Sequence, residues 1–393
     1  MTATTNRTKG KRSARATSDG ASRNAPSSYV LLFAVIVVLN LIGLVMVLSS
    51  SSVSALHHQG SSYYYFERQL LWLGLGGIAF VIALRTDYHR LRALAWPGLL
   101  ASIGMLAIVL LPGIGSNVNG SSRWIGVGTF GIQPSEFAKL GVLIFAADLL
   151  ARRSAWIEDT RVTLRPVLVA FGAVALLIML QPNLGTTIVI ATITFSVLFV
   201  AGVRLGPLVG YGSLGSVLAL GAAMGESYRR ARLTAFLNPW NDPQNTGYQT
   251  IQSLVALASG GWFGLGLGQS RAKWGFLPYA YTDFIFAIIA EELGFFGALL
   301  VVALFVALAF LGVRTALQAP DPFGRLLAIG ITTWLTVQAF VNIGAVIGVL
   351  PITGVPLPFI SFGGSSLLAT MAASGILLNV ARRSGERVPV RRG

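Results

Sequence analysis

The sequence predicts an all-α polytopic membrane protein of about ten transmembrane helices. Both termini are expected on the cytoplasmic side, with a large extracytoplasmic loop between helices seven and eight. Three observations predict this. Apolar residues make up 54% of the 393 positions and charged residues only 11%, against about 25% charge in a soluble domain. Acyl chains cannot solvate ions, so a lipid-facing surface accounts for the deficit. The apolar residues also gather into runs near the ~20 residues that span a bilayer, and basic residues flank those runs unevenly.

Residues 1–27, rich in Ser, Thr, Ala, Lys and Arg, read as a disordered basic tail. A transmembrane domain is expected over 28–382 and a second basic tail over 383–393. The expected spans are 29–50, 69–85, 94–112, 136–151, 166–181, 184–203, 207–225, 283–312, 326–350 and 363–381. Only Gln181-Pro182-Asn183 separates the fifth from the sixth. The first run is long, lacks a small-residue cleavage site and is followed by further spans, so it is not expected to be a cleaved signal.

With the N-terminus inside, the inner segments hold Arg85, Arg90, Arg92, Arg152, Arg153, Arg161, Arg165, Arg204, Arg314 and Arg325, besides the tails. The positive-inside rule favours this orientation. Arg68, Arg123, Lys139, Arg229, Arg230, Arg232, Arg271 and Lys273 then fall at or near the outer face. Long loops escape the rule, which covers Arg229, Arg230 and Arg232 but covers Lys139, inside a span, poorly. The net charge of +15 does not indicate nucleic acid, because aromatic and basic residues do not interleave as a binding groove requires. The absence of cysteine excludes disulfide, zinc-thiolate and cysteine-nucleophile chemistry.

Two outer segments stand out. Residues 113–135 carry Asn117, Asn119, Ser121, Ser122, Arg123 and Trp124, and the long loop 226–282 is rich in Gly, polar and aromatic residues. Within the loop, Gln249–Leu257 reads as a short helix that could re-enter the membrane.

Ionisable residues within spans are the default functional candidates. Here they are Glu136, Lys139, Asp148, Asp283, Glu291 and Glu292. Asp283 opens the eighth span, where a carboxylate can simply cap free N–H groups. Its context favours more: the polar loop brings it to the outer face near Arg271 and Lys273, a setting suited to a general base. Glu136 and Lys139, three apart on one helix, can form a structural pair or contact a substrate. Glu292 reads as a residue paired inside the bundle, whereas Glu291 is open to a structural role or a proton or ion path. The stretch Pro351–Ser366 is proline-rich, then glycine-rich. Irregular backbone at a membrane must be buried in protein or line a cavity.

These strings together resemble the shape, elongation, division and sporulation (SEDS) family. The matching pieces are Phe66-Glu67-Arg68-Gln69, Asn119-Gly120-Ser121-Ser122-Arg123-Trp124-Ile125 and Gln133-Pro134-Ser135-Glu136-Phe137-Ala138-Lys139. They continue with Gln181-Pro182-Asn183-Leu184-Gly185-Thr186, Gly247-Tyr248-Gln249 with Gln252-Ser253, Thr282-Asp283-Phe284 with Glu291-Glu292-Leu293-Gly294, and Pro351–Ser366. They run in the family's order from residue 66 to 366. The wording of Leu357–Ser366 and the basic N-terminal tail are more similar to the division-type members than to the elongation type. The family usually has Glu and His where this chain has Tyr279 and Tyr281, and Asp where it has Asn183.

The resemblance implies a peptidoglycan glycosyltransferase that polymerises lipid II during division and releases undecaprenyl pyrophosphate, with Asp283 as general base. Arg68, Arg123, Glu136, Lys139, Gln252, Arg271, Lys273, Ser361 and Ser365 are the expected substrate-binding residues. A divalent cation (Mg or Mn) is an admissible helper. The expected partners are a class B penicillin-binding protein transpeptidase and divisome activators, in the cell membrane at the septum. A lipid II flippase, for which Glu291 is the telling residue, and a division scaffold are the alternatives.

Overall fold

The computed structural model describes residues 28–113, 115–118, 121–126, 131–225, 230 and 235–384. Both expected tails, apart from residues 383 and 384, and Asn119, Gly120, Arg229 and Arg232 lie outside the described residues. The acyl region offers no water, so each backbone N–H and C=O must be satisfied within its own segment; long apolar runs achieve this only as helices. Helices occupy every expected span: α1 (Ser28–Gln59), α2 (Tyr64–Arg85), α3 (Ala95–Val109), α4 (Pro134–Arg152), α5 (Leu164–Met179), α6 (Leu184–Ala201) and α7 (Leu205–Gly225). A short helix, α8 (Tyr248–Ser259), follows in the loop, and then α9 (Ile285–Leu317), α10 (Pro322–Val346) and α11 (Gly364–Arg383). Between α3 and α4, strands β1 (Gly115–Val118) and β2 (Ser121–Ile125) pair antiparallel, with Gly115 opposite Ile125.

Among the described residues, seven helices are long and apolar enough to cross a membrane. They are α1, α2, α3 with its preceding turn, α6, α9, α10 and α11. Of the rest, α5 and the apolar part of α7 are shorter, and α4 carries Glu136, Lys139 and Asp148. Burial sorts the bundle into centre and rim. In their most apolar stretches 83% of α11 and 67% of α10 is buried, against 22% of α2, so α10 and α11 form the centre and α2 the rim. Rim residues such as Val169, Leu176 and Val217 are largely exposed, a surface that suits acyl chains. Where α1 crosses the Pro351–Ser366 stretch, a side chain on Gly43 would collide with the backbone of Phe359 and Ile360; the glycine lets the two backbones touch.

The eighth span departs from the expected single helix. At Gly294 the backbone turns to φ 70° and ψ −168°, splitting α9. The loop after α8 docks into the break: Leu265 and Gly266 donate their N–H groups to the carbonyls of Glu291 and Glu292, at 2.9 and 3.0 Å. Phe295 and Phe296 in turn donate to Gly261 and Trp262, at 2.9 and 3.3 Å. The docked loop therefore satisfies the carbonyls of Glu291 and Glu292 that the break frees.

The two ends of the bundle differ in polarity. At one end Asp87, His89, Arg92, Asp148, Arg152, Asp321 and Arg383 link the start of α10 to the ends of α2, α4 and α11. The opposite end holds the β-hairpin, α8 and the loop leading to Asp283.

Candidate active site

Asp283 lies in a wound turn just before α9. Leu277 N–H bonds to the Ala272 carbonyl at 3.0 Å, and the N–H groups of Thr282 and Phe284 both bond to the Tyr279 carbonyl, at 3.1 and 3.3 Å. The N-cap position falls to Phe284, which provides no side-chain cap, so Asp283 is not the capping residue that its position in the sequence suggested. Its side chain is half-buried and lines a small recess with Asn342, Thr353 and Gly354. A Cβ placed on Gly354 would sit 3.6 Å from Asp283 Oδ2, so this part of the Pro351–Ser366 strap lies against the carboxylate.

The strap is sewn to the Asp283 turn and to α10. Asn342 Nδ2 donates to the carbonyls of Asp283, at 2.7 Å, and Val355, at 2.8 Å. One turn away Gln338 Nε2 donates to the Pro356 carbonyl at 2.9 Å. Ser361 Oγ donates to the Thr282 carbonyl at 2.6 Å and accepts from Leu357 N–H at 2.8 Å. Phe362 N–H bonds to the Tyr281 carbonyl at 3.0 Å. Gln338 also reaches the buried pair on α4: its Oε1 accepts from Lys139 Nζ at 2.7 Å and from Trp334 Nε1 at 2.8 Å. Lys139 Nζ is 2.9 Å from Glu136, with both side chains almost wholly buried. A buried charge persists only when paired and hydrogen-bonded, and Gln338 supplies the second partner.

Gln338 and Asn342 are absent from the residues expected from sequence. A search for ionisable groups passes over uncharged amides. The available signal was two amides four apart, hence on one face, in an otherwise apolar helix.

The other expected residues are held in separate settings. Lys273 was expected beside Asp283; instead its Nζ bonds to the Gly268 carbonyl at 2.6 Å and lies 3.5 Å from Glu292. Arg271 uses its backbone N–H on Glu291 at 2.9 Å and keeps an exposed side chain. Arg123 donates to the carbonyls of Gln181 and Pro182, at 2.8 and 2.7 Å, at the end of α5. Arg68 lies 4.4 Å over the Tyr64 ring. Ser365 Oγ accepts from Gln133 N–H at 3.0 Å and donates to the Gly131 carbonyl at 3.2 Å, and Gln252 is half-buried on α8.

Glu291 and Glu292 both fasten the loop to the break in α9. Glu291 accepts from Ser270 Oγ at 2.5 Å and from the N–H groups of Arg271 and Ala272. Glu292 accepts from Ser49 Oγ at 2.7 Å and Ser270 N–H at 3.2 Å.

The departures from the family pattern also have local explanations. Asn183 Oδ1 caps α6 by accepting from Thr186 N–H at 3.3 Å, a task for which Asn and Asp are both good. Tyr281 stacks on Tyr65 with ring centroids 4.5 Å apart. Burial first, and then the hydrogen bond it donates to Tyr65, push the Tyr281 phenol up from its ordinary range, which disfavours the phenolate a base beside Asp283 would need. Among the described residues no three His, Cys, Asp or Glu side chains converge to hold a metal. Among the described residues, Asp283 is the one ionisable side chain that lines the recess.

The fold and site define a polytopic helical membrane protein with a carboxylate-bearing recess at one end of the bundle. The chain belongs to the Cell cycle protein family of FtsW, RodA and SpoVE, which it matches over residues 29–386. It is 45% identical to Stage V sporulation protein E of Bacillus subtilis, over 90% of this chain and 97% of that protein. It is 42% identical to the probable peptidoglycan glycosyltransferase FtsW of Geobacter metallireducens, over 90% of this chain and 94% of that one. Among solved structures, a chain of a peptidoglycan synthase complex that coordinates polymerization and crosslinking superposes with a TM-score of 0.74 at 32% identity, covering 90% of this chain and 98% of its own. The rod shape determining protein RodA of Thermus thermophilus superposes with a TM-score of 0.65 at 29% identity, covering 90% and 97%.

Proposed function

We propose that this protein is an inverting peptidoglycan glycosyltransferase that polymerises lipid II. Asp283 accepts the proton of the acceptor N-acetylglucosamine 4-hydroxyl. The oxygen attacks the anomeric carbon of the donor N-acetylmuramic acid, and the bond from that carbon to pyrophosphate breaks. Undecaprenyl pyrophosphate leaves with the electron pair, and the α-linked donor becomes a β-1,4 linkage. The observation that carries this reading is Asp283 itself: a half-buried carboxylate in a recess walled by the strap. The residue Ile352 is shared between that recess and a larger cleft.

Pyrophosphate is a good leaving group, so one base suffices, and the developing negative charge requires cations. The exposed side chain of Arg271 and the half-buried Arg68 are the accessible members of the expected set. The positive-inside rule, applied to the arginines flanking the far end, supports an extracytoplasmic position for Asp283, the side on which lipid II would be consumed. The names of the relatives, which speak of the cell cycle, sporulation and a synthase complex of polymerization and crosslinking, support a role in division or sporulation with a crosslinking partner; we take that partner to be a class B transpeptidase. We place the protein in the cell membrane at the division septum, under the control of divisome activators.

The flippase reading rests on Glu291. Its carboxylate is saturated by Ser270, Arg271 and Ala272, which favours a structural part over a transport path. The deciding experiment supplies lipid II to purified protein in detergent, where no two compartments exist. We expect glycan polymer; a protein that makes none there while moving lipid II across vesicle membranes would be a transporter.

A further inference from the structure

The cleft that shares Ile352 with the Asp283 recess measures about 480 Å3, within the ~300–1,000 Å3 of small-molecule sites. Its lining is chemically selective. Gln244, Asn245, Thr246, Tyr248, Gln249 and Tyr279 contribute amides, hydroxyls and aromatic faces, and among the described residues that line it there is no Asp, Glu, Lys, Arg or His. Such a wall is poorly suited to pyrophosphate, which calls for charge-assisted donors. A polyprenyl tail would leave its amides unpaired. It suits an uncharged N-acetylated sugar: side-chain amides both donate and accept, and a tyrosine ring offers an apolar face to the C–H side of a pyranose together with a polar edge.

The wall is also built rather than incidental. The loop before α8 is wound around Asp242, whose carboxylate accepts from Asn245 Nδ2 at 3.0 Å, Thr246 Oγ1 at 3.1 Å and Thr246 N–H at 3.2 Å. Opposite, Tyr279 adopts φ 59°, a left-handed conformation that is a genuine outlier for a bulky residue. Its carbonyl accepts from Thr282 N–H, Phe284 N–H and Thr282 Oγ1, which hold the strained turn. The residue is 45% exposed. Backbone strain of this kind clusters at ligand clamps.

We propose that this cleft is the acceptor-sugar subsite. It takes the neutral N-acetylhexosamine end of lipid II, with Tyr279 as the stacking face and Asn245 and Gln249 as amide partners. The pyrophosphates stay outside it. The assignment rests on the glycosyltransferase reading above, and it explains how an acceptor hydroxyl reaches Asp283 across Ile352.

The test compares wild-type protein with Tyr279→Asn and Gln249→Ala. Asparagine tolerates the left-handed backbone, so the first variant removes the ring and keeps the turn. In detergent with varied lipid II, each variant is expected to raise KM about tenfold while changing kcat less, and to bind sugar-free undecaprenyl pyrophosphate like wild type. Saturation-transfer NMR with the β-1,4-linked trimer of N-acetylglucosamine gives a readout independent of turnover: signal with wild type, loss with Tyr279→Asn. Lipid II methylated at the 4-hydroxyl of its N-acetylglucosamine, which can serve only as donor, separates the two sugar sources. Its KM as donor, measured with unmodified lipid II saturating as acceptor, should be unaffected by either variant. Unchanged KM and equal NMR signals in a wild type that still polymerises would overturn the subsite alone. A wild type that makes no glycan yet binds the trimer through Tyr279 would overturn the polymerase reading and leave the sugar site standing.

Discussion

Asn342 is a buried amide whose two N–H groups are both engaged, one on the carbonyl of Asp283 and one on that of Val355. It fixes the residue that carries the carboxylate against the strap that walls the recess. Asn342→Ala strands both carbonyls, at about 1–3 kcal/mol for each buried group left unpaired, and frees the Asp283 turn to shift. The expected outcome is a lower melting temperature in detergent and a kcat reduced at least tenfold, since a displacement of about 1 Å can cost far more. Wild-type kcat in a folded Asn342→Ala protein would remove Asn342 from the positioning of Asp283. Asp283 was legible in the sequence because a carboxylate in an apolar chain is conspicuous. Asn342 was not, because its value comes from two backbone carbonyls distant in sequence, which no local pattern encodes. The same limit applies to Lys273: its charge is visible in the sequence, but its pairing with Glu292 depends on how the loop folds back.

The helices themselves were readable, because run length and apolarity decide them once water is absent. The break in α9 was not, since a lone glycine in a helical run usually costs only propensity. Here Gly294 holds φ 70°, and a Cβ there would lie 2.3 Å from Gly264 N and 2.6 Å from the Phe263 backbone. Gly294→Ala should therefore destabilise the protein by on the order of 3 kcal/mol, combining strain with overpacking. It should also loosen the loop carrying Ser270 and Lys273. Thermal melts and limited proteolysis of that loop check this; a melting temperature equal to wild type would mean that the break is not fixed by the docked loop.

At the scale of the whole molecule, one end is arginine-rich and internally paired and the other carries the recess and cleft. At the paired end, burial works against the charged form of Asp87. Hydrogen bonds from the His89 backbone and ring, and from Arg383, nevertheless hold the carboxyl down from 3.8 to about 2. A carboxyl depressed on folding stabilises the fold above its unfolded pKa, so this contribution is present above pH 3.8 and is lost as pH falls toward about 2. Asp87→Asn should flatten that part of the acid limb in melts recorded against pH, and should leave melts at neutral pH lower than wild type by a small margin, as expected for a largely exposed pair. An acid limb as steep as wild type in the variant would show that other carboxyls govern it. The segregation of charge between the ends was legible from the flanking arginines, whereas the cleft we propose for the acceptor sugar is formed only when the loop before α8 folds against Tyr279. The most direct test of the whole account is glycan synthesis from lipid II by purified wild type and Asp283→Asn at matched folding. The variant should lose roughly 10²–10⁴-fold in rate, the usual contribution of a positioned base, while still binding lipid II. Polymerisation by Asp283→Asn at the wild-type rate would contradict it.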